Sequence, residues 1–413
     1  MLEINKTYTV TIEKQDTFGS GIARVDEILV FVNGALPGEE VQIQITEIKK
    51  NYARAKIVCV NRQSDNRVKA ICPYYDKCGG CQIMHQSYNS QLIFKENKIK
   101  ELFDRTLNTS DIKFNRIIHG NQFNYRNKVI FHGINHELGF YREKSNTLFS
   151  IKKCLLIDKK IEEVYIVIRD YVLKNEDELI DEVMIRKTSL DEVMISIKGN
   201  VNCNNLIKLL PDYVKSIYLN NKNIYGNKTI SEKINNFSFD ILPQAFFQVN
   251  YEMMNRLYDI IISYFKNNNF NSVLDLYCGT GTIGILVSPY VKKVTGVEIV
   301  EDAVKSANMN KEINNIDNIE FILGKVEKNI TLFSNVDSII VDPPRSGLDN
   351  LTIDTILKIK PVSIVYTSCD PITLIRDIKK LSDNYSVKVV NIVDMFPNTY
   401  HVETVCVMER NDK

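Results

Sequence analysis

The chain has 413 residues, 44% of them apolar and 25% charged, with a formal net charge of +1. That length exceeds one ordinary core and that composition excludes disordered and fibrous classes, while a near-zero net charge neither demands nor forbids a nucleic-acid partner, because phosphate is bound by a local basic surface. The opening MLEINKTYTVTIEK has no basic stretch ahead of an apolar core, and no run reaches the ~18 apolar residues that cross a bilayer, so a cytoplasmic protein without membrane contact is expected.

Residues 1–59 alternate in short apolar segments, YTVTI, ILVFV, VQIQI and AKIVCV, separated by FGSG and ALPGEE. Short strands with Gly/Pro turns predict a small β-barrel. Lys49, Lys50, Tyr52, Arg54 and Lys56 follow the third of these segments and mix cations with a ring, which leaves RNA contact and a plainly solvated surface both open.

Residues 60–240 are less regular and read as an α+β region. In a reducing compartment the nine cysteines are expected to be thiols, ligands or nucleophiles. CPYYDKCGGC places Cys72, Cys78 and Cys81 in C-x5-C-x2-C spacing, with Cys154 of IKKCLLI as a distant fourth. Three clustered thiolates on a Gly-Gly hinge suit either tetrahedral zinc or a cubane iron–sulfur cluster. A helix near 87–107 is predicted with Leu92, Ile93, Ile99 and Leu102 along one side. KVIFHGI, LGFYR and LFSIK read as strands, DEVM at 181 and again at 191 as the two arms of a hairpin, and the Asn/Lys-rich passage 220–236 as a loop or boundary.

From about 240 strands alternate with helices, which predicts a mostly parallel sheet covered on both faces, with a ligand at the carboxyl ends of its strands. VLDLYCGTGTIG runs from a strand through a turn into a helix and spaces Gly279, Gly281 and Gly284 as G-x-G-x-x-G; Glu298 ends the next strand, where a carboxylate holds ribose hydroxyls. On that spacing an NAD-dependent dehydrogenase is one reading. Against it stands Asp275 ahead of the glycines, in a D-x-x-x-G arrangement that resembles motif I of class I methyltransferases. SIIVDPPRSG then ends a strand in prolines that stiffen the turn and present Asp342.

YTSCDPITLIRD sets Cys369 in a turn between a strand and a helix, with Asp370 as cap and Pro371 as first helical residue. A cysteine at a helix N-terminus is expected to have a lowered pKa and to act as a nucleophile. YHVETVCVM supplies Glu403, flanked by Val402 and Thr404-Val405, as a buried carboxyl with a raised pKa suited to proton transfer, beside His401. Thiolate, carboxylate and methyl-donor pocket together fit methylation at carbon 5 of a pyrimidine, which becomes nucleophilic only once a thiolate has added to carbon 6.

These residues resemble the RNA (uracil-5)-methyltransferase family through AFFQVN (245–250), LDLYCGTGTIG (274–284), VEI (297–299), VDPPRSG (341–347), TSCDPITLIRD (367–377) and HVETV (401–405). The resemblance implies an α/β fold: a class I, Rossmann-like methyltransferase domain (241–413), an α+β central RNA-binding domain (60–240) and an N-terminal OB-like TRAM barrel (1–59), the last through FGSGIARVDEILVFVNGALPGEEV. It implies S-adenosylmethionine held by Gln248, Tyr277, Thr282, Glu298 and Asp342, Cys369 as nucleophile and Glu403 as base. Thr282 stands where family members often carry Asn. YRNK (125–128) and LGFY (138–141) resemble the family's RNA-binding sheet, and Tyr125, Arg126 and Lys128 offer a ring and two cations. Branches of the family carry a [4Fe–4S] cluster at positions matching Cys72, Cys78, Cys81 and Cys154, with zinc as the alternative metal. The expected substrate is 23S ribosomal RNA and the expected form a monomer. A tRNA uracil-5-methyltransferase, and a non-catalytic iron–sulfur RNA-binding protein, are the alternatives.

Overall fold

The computed structural model describes residues 2–175, 177–325, 328, 333 and 336–411. They fall into two compact units: Met1–Ile99 with Arg142–Ser145 and Phe396–His401, and Lys100–Tyr141 with Asn146–Met395 and Val402–Lys413.

The first unit begins with β1 (Thr7–Thr11), β2 (Lys14–Gln15), β3 (Gly21–Val25), β4 (Ile28–Asn33), β5 (Glu40–Ile48) and β6 (Tyr52–Arg62), in sheet order β1-β5-β6-β4-β3-β2. One bent stretch supplies both edges: β1 pairs with β5, and β2, three residues on, pairs with β3. The sheet therefore closes into the expected barrel around Val10, Val30, Val32, Val41, Ile43 and Ala53, which removes its free edges. The barrel has two more strands than the four apolar segments indicate, because β2 is only two residues long and β3 buries three residues in a row, Gly21 to Ala23, so neither alternates.

Fully buried Glu39 ties the barrel to the chain that follows. It accepts hydrogen bonds from Leu36 N (2.8 Å) and from Arg67 Nε (2.5 Å) and Nη2 (2.7 Å). The helix α1 (Tyr88–Asp104) forms where the periodicity predicts. Its buried face differs from the prediction, carrying Gln91, Leu92, Lys95, Lys98 and Ile99, while Ile93 is exposed. Lys95 and Lys98 lay their stems along that face and donate to the carbonyls of Phe396 and Tyr400 (3.0 Å each), so two residues that look solvated in sequence are structural.

In the second unit β7 (Lys113–Phe114) joins a sheet described below. Next come β8 (Lys128–Ile134), β9 (Glu137–Tyr141), β10 (Leu148–Ser150), α2 (Lys159–Lys174), β11 (Leu179–Lys187), β12 (Val193–Asn200), α3 (Cys203–Ile207), β13 (Val214–Leu219) and β14 (Lys222–Gly226). Their strands form a sheet of order β10-β9-β8-β11-β12-β13-β14. The DEVM repeat is indeed a hairpin, with Met184 opposite Ser196. The helix α2 covers one face through Ile161, Val164 and Ile168, and Tyr165 stacks on Phe131 at 4.0 Å. The passage 220–236 is not a loop: it folds as β14 and as β15 (Ile230–Ile234), which pairs with β16 (Phe237–Ile241). Cross-strand partners stabilise these short strands despite their Asn/Lys content.

The remaining elements alternate as predicted: α4 (Tyr251–Lys266), β17 (Ser272–Leu276), α5 (Thr282–Val287), β18 (Lys293–Glu298), α6 (Glu301–Ile313), β19 (Ile319–Leu323), β20 (Ser338–Val341), α7 (Asn350–Ile359), β21 (Ser363–Ser368), α8 (Pro371–Leu381), β22 (Tyr385–Val393) and β23 (Glu403–Arg410). The sheet order is β19-β18-β17-β20-β21-β23-β22-β7. β17 to β21 are parallel, and β23 runs antiparallel between β21 and β22. Strand order reverses at β17, between β18 and β20, which is where such sheets open a crevice for a ligand.

Candidate active site

Strand register assembles the site. Leu276 on β17 is level with Val297 on β18 and with Val341 on β20. The next residue of each strand, Tyr277, Glu298 and Asp342, therefore lies in one row at the carboxyl edge. Ser368 on β21 pairs with Thr404 on antiparallel β23, and continuing that register by one residue sets Cys369 against Glu403.

The Gly-rich turn is built by strain and by two carboxylates. Tyr277 has φ +61° and Gly281 φ +76°, a conformation that side chains disfavour, and a Cβ on Gly281 would meet the Phe321 ring at 2.5 Å. Buried Asp275 accepts a hydrogen bond from Gly284 N (3.0 Å) and holds the first turn of α5. Glu298 accepts from Gly279 N (3.0 Å), Ile299 N (2.8 Å) and Val300 N (2.9 Å), which fixes its carboxylate and leaves lone pairs for a ligand. The Tyr277 hydroxyl meets Thr352 Oγ1 (3.2 Å). Thr282 is buried at the start of α5, its hydroxyl within hydrogen-bond distance of Thr280 Oγ1 (3.1 Å).

Gln248 sits on a segment locked to the YRNK motif. Asn127 N donates to Val249 O (2.8 Å) and Asn127 Nδ2 to Gln248 O (3.2 Å), while Asn250 caps α4. This places Arg126, Lys128 and the 70%-exposed ring of Phe246 on neighbouring backbone. Tyr125 is buried and cannot serve as the stacking ring expected of it. Lys128, desolvated and close to Arg186 and Arg126, has its pKa lowered to about 8.

The carboxyls share one electrostatic condition. Burial raises Asp275 to about 8 and Asp342 to about 7, and it raises Glu403 well above the usual range, with Asp342 adding to the effect. A crevice of strained, partly protonated carboxyls fits a cationic guest such as a sulfonium or an ammonium, since a positive charge favours their ionised forms. Cys369 departs from its expected activation: its pKa is raised to about 11, by burial first and then by Glu403. The reason is local. The end of α8 is taken by Asp370, whose carboxylate accepts from Ile372 N and Thr373 N (3.0 Å each), and Cys369 lies one residue outside that cap. Opposing the carboxyls, Arg345 lowers both Cys369 and Glu403. Sequence reading named VDPPRSG but passed over Arg345; the signal available was a cation three residues after Asp342. His401 packs against Tyr400 (4.3 Å between rings) and belongs to the first unit.

Cys72 and Cys81 line a cavity of about 690 Å³ in the first unit, with Tyr75, Gln82, His85 and Glu143. Cys78 is raised by burial and by nearby Cys72, and accepts from Gly80 N (3.4 Å). Gln82 Oε1 and His85 Nε2 on its lining, and Gln86 Nε2 next in the chain, are buried without partners. Among the described residues no three His, Cys, Asp or Glu side chains converge with metal-holding geometry, so the tight spacing alone does not bring the thiols together. Thiolates repel one another, so their convergence on one point depends on a bound cation. Cys154 lies in the second unit. Of the other cysteines, Cys59 is exposed, and Cys203 and Cys406 are buried. No described helix is long and apolar enough to cross a membrane.

A family model for tRNA (uracil-5-)-methyltransferases matches residues 200–411, and one for the TRAM domain matches residues 2–58. An uncharacterized RNA methyltransferase of Clostridium tetani is 35% identical over 98% of this chain and 96% of its own, and one of Clostridium acetobutylicum 34% identical over 99% and 98%. The crystal structure of the Pyrococcus abyssi tRNA (uracil-54, C5)-methyltransferase in complex with S-adenosyl-L-homocysteine superposes with a TM-score of 0.79 at 26% identity, covering 97% of this chain and 99% of that one. Dehydrogenase and non-catalytic readings fall with these matches. The chain belongs to the RNA (uracil-5)-methyltransferase family: it is an S-adenosylmethionine-dependent RNA methyltransferase with an N-terminal TRAM domain.

Proposed function

We propose that the protein methylates carbon 5 of a uridine in RNA, in the cytoplasm and as a monomer, with Cys369 as nucleophile and Glu403 as base. The observation that carries this reading is the β21–β23 register that sets Cys369 against Glu403 beside the Asp342 turn. When bound, S-adenosylmethionine supplies an electrophilic methyl group, and Gln248, Tyr277, Thr282, Glu298 and Asp342 are the residues that would hold it. Half-buried Cys369 loses its proton to water and its sulfur bonds to carbon 6 of the uracil, whose ring electrons move toward oxygen 4. Carbon 5, now electron-rich, would take the methyl group as the sulfonium S–CH3 bond breaks and the donor leaves as a neutral thioether. Glu403, in its ionised form, removes the hydrogen of carbon 5; the 5,6 double bond re-forms and the thiolate leaves. The uridine must leave its stack to reach this edge.

The three-part division into barrel, central domain (60–240) and methyltransferase domain (241–413) goes with this reading. We also assign Cys72, Cys78 and Cys81 to a [4Fe–4S] cluster, or alternatively zinc. All are soft donors on one loop beside three unsatisfied buried polar atoms, and Cys154 is the fourth ligand by resemblance alone. Barrel and cysteine loop favour 23S ribosomal RNA. The whole-chain likeness to the Pyrococcus tRNA enzyme favours a second reading, tRNA, because it extends over the barrel as well. Incubation of the full chain with ribosomal RNA, tRNA and labelled methyl donor, followed by mapping of modified uridines, separates the two. Label on the ring of neither RNA would overturn the proposal.

A further inference from the structure

The helix that follows Cys369 also grips the turn that carries Arg345. Thr373 Oγ1 donates to Arg345 O (3.2 Å). Arg376 Nη2 donates to Ser346 O (2.8 Å) and Leu348 O (3.2 Å), and its Nε donates to Asp377 Oδ1 (2.8 Å). Fully buried Asp377 uses its other oxygen to accept from Leu348 N (2.7 Å) and from the Tyr366 hydroxyl (2.9 Å) on β21, the strand that ends at Cys369. Gly347 sits at φ +73° beneath these groups, and a Cβ there would collide with Asp377 Oδ2 and meet Arg376 Nη2 at 2.6 Å. Thus the 345–348 turn is held at the backbone of three of its four residues, Arg345, Ser346 and Leu348, by side chains of α8, and α8 is held in turn to β21.

We propose that Arg376 and Asp377 are positioning residues that fix the turn carrying Arg345 against the first turn of the helix that follows Cys369, so that the cation borne by that turn is placed from the back of the helix. The proposal rests on the assignment of Cys369 as nucleophile for its meaning in catalysis, though not for its test. A planar guanidinium bridging two carbonyls while paired to a carboxylate is a fixed fork that lysine cannot reproduce, and a charged acceptor buried with two donors cannot be replaced by an amide without setting N–H against N–H. Among the described residues the exposed Arg345 side chain makes no hydrogen bond or ion pair of its own, so its place depends on the backbone that bears it. The charged and titratable groups facing Cys369 are Glu403, Arg345, Asp342 and Asp370; Arg345 is the one that favours the thiolate.

The test follows alkylation of Cys369 by iodoacetamide against pH in the full chain, read by peptide mass, for the native protein and for Arg345→Ala, Asp377→Asn, Arg376→Lys, Arg376→Ala and the double variant Arg345→Ala/Asp377→Asn. Well below the thiol pKa the rate follows the thiolate fraction, so an upward shift of one unit is about a tenfold loss. We expect Arg345→Ala and Asp377→Asn to move the profile upward alike, by roughly half a unit to one unit, Arg376→Lys to move it less than Arg376→Ala, and the double variant to match Arg345→Ala alone. Circular dichroism and S-adenosylmethionine binding should stay native in Arg376→Lys. An unmoved profile in Asp377→Asn, or additive shifts in the double variant, would overturn the proposal. Activity of Cys369→Ala would overturn the catalytic assignment instead and leave these profiles standing.

Discussion

Cys369 and the trio Cys72, Cys78 and Cys81 all occupy turns, yet the two regions hold their sulfurs by different means. Cys369 is placed by a strand on one side and a capped helix on the other, and its partner Glu403 by antiparallel register, so the pair is set whether or not anything is bound. The loop 72–81 has no regular element; short turns such as Tyr75 N to Cys72 O (3.2 Å) and Cys78 N to Tyr74 O (2.8 Å) hold its backbone, and its sulfurs do not converge. One site is built in advance by backbone geometry. The other, on the cluster assignment proposed above, would take its geometry from the bound metal, as is common where ligand binding and folding are one event.

If that contrast is right, the largest effect belongs to the pre-built site. Cys369→Ala should lower methyl transfer to RNA by on the order of 10⁴-fold or more without changing the fold, because no other group can add to the ring. RNA carrying 5-fluorouridine should form no denaturant-resistant complex with this variant. Retained turnover would break the comparison at its stronger end. Glu403→Gln should cost about 10²- to 10⁴-fold, the range for a lost proton acceptor, and should let a covalent protein–RNA adduct accumulate on gels. An adduct that fails to build up while turnover falls would reassign Glu403 to an earlier step.

Most of the pre-built site was legible in the sequence because its signals are local. Asp370-Pro371 announces a cap and a first turn, Gly279 and Gly281 announce positive φ, and alternation of strand and helix announces the parallel sheet. What escaped depends on long-range packing. The pairing of β21 with β23 joins residues with a helix and a strand between them, so the position of Glu403 opposite Cys369 could be suspected from chemistry but not read from spacing. The grip of Arg376 and Asp377 on Ser346 and Leu348 was hidden for the same reason. The thiol pKa was misjudged because burial and the neighbouring Glu403, which raise it most, come from long-range packing, while the cap at Asp370 was legible but leaves Cys369 outside the helix end. Ile93 fails through a shift of helical phase: the buried stripe follows Leu92, Lys95 and Ile99, and a lysine in it masks the period.

The cysteine loop should give a smaller effect on chemistry and a plain one on composition. Replacing Cys72, Cys78 and Cys81 with Ser should remove bound iron, or zinc, from protein prepared without oxygen, lower the melting temperature of the first unit's transition, and reduce methylation less than Glu403→Gln does. Metal analysis and calorimetry check this. Native protein that holds neither iron nor zinc would erase the second half of the comparison, and a loss of turnover as deep as that of Cys369→Ala would show the loop to be part of the chemistry.

The smallest effect is a pH dependence of stability that the pre-built site imposes on the empty protein. Asp275 and Asp342 have unfolded values near 3.8 and folded values of about 8 and about 7. Below pH 4 both states carry the protons and neither carboxyl discriminates. As pH rises above 4 the unfolded chain ionises while the folded chain keeps its protons, so folding binds protons and stability falls until about pH 8. The ligand-free protein should therefore melt at higher temperature near pH 5 than near pH 8. Many other groups titrate in that window, which makes the difference between native protein and Asp275→Asn the useful reading. Asparagine keeps an oxygen to accept from Gly284 N but cannot ionise, so the variant should lose part of the slope. Saturating S-adenosylmethionine should also flatten it, since its positive charge returns Asp275 and Asp342 toward ordinary values. A slope identical in native protein and variant, with and without ligand, would mean that the row of carboxyls at the strand ends is solvated like any surface, and the electrostatic case for a cationic guest in that crevice would go with it.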